Sequence, residues 1–148
     1  MICTKIGVAK KIFKNEDPYI LCVQICINGF DCFVIGVYLK SDRKDQTIAE
    51  IKILIKRIRN SYKSANIALF GDFNTNSKFT IKQIRQDLHL NVHNSNLKMT
   101  TRQQSYKGSI HKSTLDYFLY TSKINQICRL AKMSSDHYPL LMKTSLNK

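Results

Sequence analysis

Strand-like and helix-like patterns alternate along this sequence, and their order restricts the chain to an α/β fold. Residues 19–27 and 30–39 are rich in β-branched and aromatic side chains, and Asn28-Gly29 between them favours a tight type I′ turn. We therefore predict a β-hairpin over these two runs. An earlier run, from Ile2 to Phe13, has strand-like alternation and is expected to pair beside the hairpin.

The next segment has helical periodicity. Apolar residues recur at intervals of three and four from Thr47 to about Lys63, which predicts an amphipathic helix, and Thr47 with Glu50 has the spacing of a capping box. A second, shorter helix is predicted further along, with Thr80 and Gln83 as its cap.

The remaining segments predict further strands and one loop. The sequence NIALFGDFN changes from an apolar strand to a polar loop at Gly71, the kind of transition where α/β proteins place functional groups. Residues 93–113 are polar and irregular, which indicates a surface loop. Three more strands are predicted over LDYFLYT, around Ile127 to Lys132, and over Leu140 to Thr144.

The length, the apolar runs and the net charge limit the classes of protein to which this chain can belong. The 148 residues suffice for one domain. No run approaches the roughly 20 apolar residues of a membrane span, and no secretory signal is visible. The net charge of +14 favours polyanionic partners, with nucleic acid first. A basic proteome background or an anionic organelle surface explains the charge equally well.

The cysteines bear on the compartment. There are five, an odd number, without a CxxC pair or zinc-ligand spacing. An intracellular, reducing compartment is therefore expected, with the nucleus favoured. An organelle is the alternative, because several lysines near the N-terminus suit an import peptide.

Three polar clusters sit at the ends of predicted strands: residues 71–74, 115–117 and 135–139. Each contains groups that can assist the hydrolysis of phosphate esters. Singly they mean little, because an Asp in such a loop is usually a turn former and a lone His is usually a surface residue.

Together the clusters carry a family resemblance. IALFGDFNTNS resembles the GDxN block, STLDYFLYTS the DY block and SSDHYPLLM the SDHxP block of the endonuclease/exonuclease/phosphatase family. GVAKKIF and FVIGVYLK resemble preceding strands of that family. The LDYFL sequence and the short connections are most similar to those of abasic-site and non-LTR retrotransposon endonucleases.

The resemblance implies a fold and a boundary. Members of the family have a four-layer sandwich of two β-sheets flanked by helices, with the active site at one rim. Active members also place an Asn and a metal-binding Glu in strands that precede GVAKKIF, and neither block is present in this sequence. Residues 1–148 are thus expected to form a partial domain, N-terminally truncated. A fragmentary gene copy, an enzyme completed by another polypeptide and a retained non-catalytic subunit all remain open.

The resemblance also implies roles for the motif residues. Asp72 would orient or deprotonate water and Asn74 would bind a phosphoryl oxygen. Asp116 would hold His137 in one tautomer, as a cation near the phosphate. The Mg²⁺ or Mn²⁺ ion expected from the family would lie beside Asp136. Tyr38, at the end of a family strand, would donate to phosphate.

A last pattern lies on the long predicted helix. Its polar face repeats basic residues at helical spacing, which predicts an anion-binding stripe on the outside of the sandwich, although an ordinary solvated face is the simpler interpretation. The stripe consists of Lys52, Lys56, Arg59 and Lys63. The predicted function is a metal-dependent endonuclease acting on nucleic acid, preferably DNA. The alternative is a non-catalytic basic subunit that binds nucleic acid.

Overall fold

A computed structural model describes residues 8–13, 16–27, 30–92, 98–121, 124–131 and 134–144. The predicted Asn28-Gly29 turn and the start of the first run lie outside these residues. The chain order begins β1 (Val8–Phe13), β2 (Ile20–Ile27), β3 (Phe30–Tyr38), α1 (Lys44–Ser61), β4 (Asn66–Asp72) and α2 (Lys78–Asp87). It continues with β5 (Asn91–Val92), β6 (Arg102–Tyr106), β7 (Ser109–Ser113), β8 (Asp116–Tyr120), β9 (Ile124–Arg129) and β10 (Leu140–Thr144).

One six-stranded sheet forms the centre of the structure, in the order β1-β2-β3-β4-β8-β5. Strands β2 and β3 pair antiparallel from Ile27↔Phe30 onward, and β1 pairs with β2, as predicted. Strand β4 is parallel to β3 and antiparallel to β8. The connection from β3 to β4 contains α1, as a parallel crossover requires.

The main hydrophobic core lies between one face of this sheet and the two helices. Helix α1 buries its apolar seam, including Ile51, Ile55 and Ile58, against strand residues such as Phe33 and Leu69. Full burial of one such side chain stabilises the fold by about 1.5–3 kcal/mol. Packing on α1 therefore holds β3 and β4 in place.

On the opposite face of the sheet, side chains of β4 and β8 face the turn before β10 and the start of β10, which forms a two-stranded sheet with β9. Side chains alternate along a strand, so Phe70 and Phe118 point away from the face that carries Leu69. Their rings pack 5.8 Å apart and line a cavity of about 160 Å³ together with Tyr138 and Leu140. Helices, a large sheet and a small sheet thus form a truncated α/β sandwich, as the resemblance implied.

The predicted helix caps are wrong by about one turn. Helix α1 begins at Lys44, and Thr47 is buried within it, where its hydroxyl donates to Asp17 at 2.9 Å. Helix α2 is capped by Ser77, whose Oγ accepts from the Thr80 backbone N–H. In both cases the helix begins about one turn before its buried seam, and in α2 that turn includes the exposed Phe79.

The predicted loop over residues 93–113 is also wrong in its second half. Strands β6 and β7 pair as a hairpin, and Lys107 and Gly108 at its turn both have positive φ, 48° and 76°. Positive φ at both central residues is characteristic of a type I′ turn. The hairpin is mostly exposed, so its sequence lacks the apolar alternation that reveals a half-buried strand.

Neither helix in the described part of the chain has the length and apolar character needed to cross a bilayer.

Candidate active site

Three neighbouring strands end or begin at one rim of the six-stranded sheet. Tyr38 at the end of β3 is level with Asp72 at the end of β4, and Asp72 is level with Asp116 at the start of β8. Residues that are level on paired strands point to the same face. The sheet therefore presents these three side chains in a row.

His137 lies between the two aspartates of this row. Its Nδ1 is 2.9 Å from Asp116 Oδ2, and its Nε2 is 3.9 Å from Asp72 Oδ2. An ionised carboxylate can only accept, so the first contact places a proton on Nδ1. Nε2 is then the ring atom that faces Asp72. The predicted pairing of Asp116 with His137 is present as a direct contact.

Asp72 and Asn74 form a local turn. The Asn74 backbone N–H donates to Asp72 Oδ1 at 2.8 Å, which is an Asx turn, and Asn74 has a φ of 45°. Its side-chain Nδ2 donates to the Leu39 carbonyl at 3.0 Å. An amide nitrogen carries two protons, so this bond leaves one N–H for a phosphate. The turn and the predicted role are thus compatible.

Burial is the main influence on the charge of Asp72. Loss of hydration raises the pKa of Asp72 above its ordinary value of 3.8, and the negative charge of Asp116 adds to the increase. The Asn74 N–H, His137 and Arg102 act in the opposite direction. A carboxylate with a raised pKa is a better proton acceptor, which suits a group that activates water.

Asp136, predicted to lie beside a metal ion, forms an ion pair in the structure. Its Oδ2 accepts a hydrogen bond from Arg102 Nε at 2.7 Å, and this contact holds the pKa of Asp136 below its usual range. Among the described residues no three His, Cys, Asp or Glu side chains are grouped to hold a metal ion. Magnesium needs near-octahedral oxygen ligands. The described donor set does not fit a metal by itself.

Sequence reasoning missed Thr101 and Arg102, because both lie in the segment predicted as a loop. The hydroxyl of Thr101 is fully buried and accepts backbone N–H groups from Leu115 at 2.8 Å and Asp116 at 3.0 Å. Arg102 forms a β-bridge with His137. Nothing in the local pattern distinguishes these residues from other polar loop residues.

The remaining predicted residues lie at two places. Tyr38 is at the rim, 44% exposed, with its ring 5.8 Å from that of Tyr19. Lys52, Lys56 and Arg59 of the predicted stripe lie on α1, on the helical side of the sheet. Lys63 follows the end of the helix at Ser61, so the predicted helical stripe is wrong in that residue. Lys52 forms an ion pair with Asp87 at 2.8 Å, and Arg59 donates to the His89 carbonyl at 3.0 Å. These two stripe residues therefore connect α1 to the end of α2.

Comparison with known proteins identifies the family and the fold of this chain. A family model described as endonuclease–reverse transcriptase matches residues 32–141. No curated protein matches the sequence. Among solved structures, D. rerio TDP2 complexed with a single-strand DNA product has a TM-score of 0.60 and 12% identity, over 83% of this chain and 60% of that chain.

Two further structures have the same fold. Beta toxin from Staphylococcus aureus has a TM-score of 0.60 and 18% identity, over 85% of this chain and 57% of its own. An endonuclease/exonuclease/phosphatase family protein from Leptotrichia buccalis has a TM-score of 0.65 and 19% identity, over 86% and 53%. The chain thus spans between 53% and 60% of the three structures it resembles. Since the family model covers most of the sequence and the fold agrees, the chain belongs to the endonuclease/exonuclease/phosphatase family and has its DNase I-like fold.

Proposed function

We propose that this chain is part of a phosphodiesterase that hydrolyses nucleic acid. The single observation that supports this proposal best is the position of His137, in contact with Asp116 and facing Asp72 across 3.9 Å. A proton acceptor and a proton donor beside each other at a strand rim are the groups that phosphate-ester hydrolysis needs.

The residues divide the reaction as follows. Asp72 takes a proton from water as the water oxygen forms a new bond to phosphorus. The ester P–O bond breaks, and the leaving oxygen takes a proton from His137 Nε2, while Asp116 stabilises the imidazolium. The N–H of Asn74 and the hydroxyl of Tyr38 donate to phosphoryl oxygens. A Mg²⁺ or Mn²⁺ ion would neutralise phosphate charge, but the described residues do not hold it by themselves.

The substrate is proposed to be DNA. The net charge of +14 favours a polyanion. One solved structure of the same fold is described as a complex with a single-strand DNA product, and the matching family model is described as endonuclease–reverse transcriptase. Free thiols at Cys22, Cys26, Cys32 and Cys128 accord with a reducing compartment, and we retain the nucleus as the favoured one.

Full activity is proposed to need more than these residues. The chain spans 53% to 60% of the three compared structures. We propose that residues equivalent to the remainder, in the same or another polypeptide, complete the metal site. Activity of the 148-residue chain alone is therefore expected to be weak.

Cleavage of labelled DNA oligonucleotides tests the proposal. The chain is incubated with Mg²⁺, with Mn²⁺ or with a chelator, alone and together with the N-terminal part of a family relative. Weak cleavage that rises on addition of that part is expected, and His137→Gln should lower it by roughly 10²–10⁴-fold because the proton donor is lost. Arg57→Gln, which changes an exposed helix residue, is the control.

Two outcomes oppose the proposal. Robust turnover that survives both His137→Gln and Asp116→Asn would place the chemistry elsewhere. Tight DNA binding without cleavage in every mixture would favour the alternative, a non-catalytic nucleic-acid-binding subunit.

A further inference from the structure

One short segment contacts both motif segments that supply the Asp116–His137 pair. This segment, Thr101–Gln103, enters β6 from the preceding loop. On one side, the buried hydroxyl of Thr101 accepts the backbone N–H groups of Leu115 and Asp116 at 2.8 and 3.0 Å. These bonds locate the start of β8, and with it the carboxylate of Asp116.

On its other side, the same segment holds the turn that carries His137. The Gln103 N–H donates to the Asp136 carbonyl at 2.8 Å, and the Tyr138 N–H donates to the Thr101 carbonyl at 2.7 Å. Arg102 adds its side chain through the 2.7 Å contact of Nε with Asp136 Oδ2. His137 is therefore flanked on both sides by residues bonded to this segment.

These contacts matter because Asp116 and His137 come from different elements. Asp116 begins a strand of the large sheet, whereas His137 lies in the turn before β10, which belongs to the small sheet. The separation of the two side chains depends on what connects the sheets at this rim. The Arg102–Asp136 ion pair is partly exposed, at 33% and 41%, so solvent screens it and its effect on overall stability is small. Solvent screening does not prevent the same contact from fixing the local position of the turn.

We infer that Thr101–Gln103 is a positioning segment, in which Arg102 sets the place of His137 relative to Asp116. The importance of this inference for catalysis rests on the proposed function. The structural claim, that Arg102 positions His137, does not depend on activity. Arg102 is assigned no contact with the reacting atoms. Its positive charge also acts against the raised pKa of Asp72, so the guanidinium lies within electrostatic range of that carboxylate.

The test reads the Asp116–His137 contact directly. In ¹⁵N-labelled chain, the ring Nδ1–H proton of His137 should give a downfield signal typical of a hydrogen bond to a carboxylate, and His137→Gln identifies it by its loss. We expect Arg102→Gln and Asp136→Asn each to broaden or remove this signal, and Arg102→Lys to retain it. Arg57→Gln, the matched control, should leave it unchanged.

Kinetics provide the second readout wherever the completed enzyme is active. Arg102→Gln should lower kcat by about 10²-fold with little change in KM, because misplacement by about 1 Å costs that much. The Arg102→Gln/Asp136→Asn double variant should be no worse than either single variant, since both remove one shared contact.

The outcomes separate the two proposals. A His137 signal that persists unchanged in both Arg102→Gln and Asp136→Asn would overturn the positioning role. Loss of the signal in variants that keep the wild-type circular dichroism supports it, even if no form of the chain cleaves DNA, in which case only the proposed function fails. Should Arg102→Gln not fold, Asp136→Asn carries the same test, because it removes the ion pair and keeps the Asp136 backbone carbonyl.

Discussion

A residue at the rim can lower the stability of the fold and still serve the proposed reaction, and Asp72 is the clearest example. Its folded-state pKa lies above its ordinary value of 3.8, mainly because burial removes water from the carboxylate. Ionised Asp72 therefore opposes folding. Its contribution to stability is present below pH 3.8 and is lost as the pH rises through the folded-state pKa.

Asp72→Asn should accordingly separate stability from activity. The amide stays neutral at all pH values and keeps an oxygen for the Asn74 N–H, so the variant should be more stable than the wild type at pH 7. It should lose roughly 10²–10⁴-fold in kcat if Asp72 is the proton acceptor. The acid limb of the wild-type pH profile should lie above pH 3.8. Urea unfolding and the pH dependence of cleavage measure these effects.

Asp42→Asn is the matched control for the stability measurement. Lys40 lowers the pKa of Asp42 through a hydrogen bond, so ionised Asp42 favours folding and its contribution is present at neutral pH. This substitution should not stabilise the protein. An Asp72→Asn variant that is less stable than the wild type at pH 7 would contradict the assigned effect of burial.

At the scale of elements, the end of β4 depends on one glycine. Gly71 has a φ of 145°, and a Cβ at this position would lie 1.8 Å from the Val37 carbonyl oxygen of β3. No side chain fits there while β3 and β4 remain paired at the rim. The absence of a side chain at Gly71 thus allows Tyr38 and Asp72 to stand level.

Gly71→Ala should therefore destabilise the chain severely. Strain of the backbone alone costs about 1–3 kcal/mol, and the clash with β3 adds to this. Gly108→Ala is the control, because Gly108 also has positive φ, 76°, but has nothing within 4 Å of the added Cβ. Its cost should stay near 1–2 kcal/mol, roughly that of a left-handed residue. Equal effects in urea unfolding would show that the close approach of β3 is unimportant.

At the scale of the whole molecule, charge is distributed over more than the rim. Lys and Arg exceed Asp and Glu by 24 to 10, and part of that excess lies on α1. Two residues of the predicted stripe already have partners within the protein, because Lys52 and Arg59 connect α1 to the end of α2. Lys56 and Lys63 are exposed and remain available to bind a polyanion.

Replacing Lys56 and Lys63 by Gln should then weaken binding of DNA or another polyanion. If both contact phosphates, the slope of log K against log salt should fall by between about 1 and 2, because each phosphate contact contributes nearly one. The double variant Lys78→Gln/Lys82→Gln removes the same charge from exposed positions on α2. Identical salt slopes for the two double variants would make the stripe an ordinary solvated face.

Local patterns in the sequence were sufficient for much of the fold and for the family. Helix α1 follows from side-chain periodicity. The β2–β3 hairpin follows from two runs rich in β-branched and aromatic residues joined by Asn28-Gly29, and both signals depend only on near neighbours along the chain. The three polar clusters follow from residue order, and they carry the resemblance that the family match confirms. These features require no knowledge of distant contacts.

Other features were decided only by the tertiary structure. The β6–β7 hairpin lies largely in solvent, so it has no apolar alternation to reveal it. Arg102 in β6 and Asp136 in the turn before β10 are 34 positions apart, and they meet only because these separate segments fold against each other. The contact of Asp116, at the start of β8, with His137, 21 positions later, likewise joins separate segments. The residue types of this site can therefore be predicted from the sequence. The distances between their side chains cannot, because they depend on contacts between segments that are far apart in the sequence.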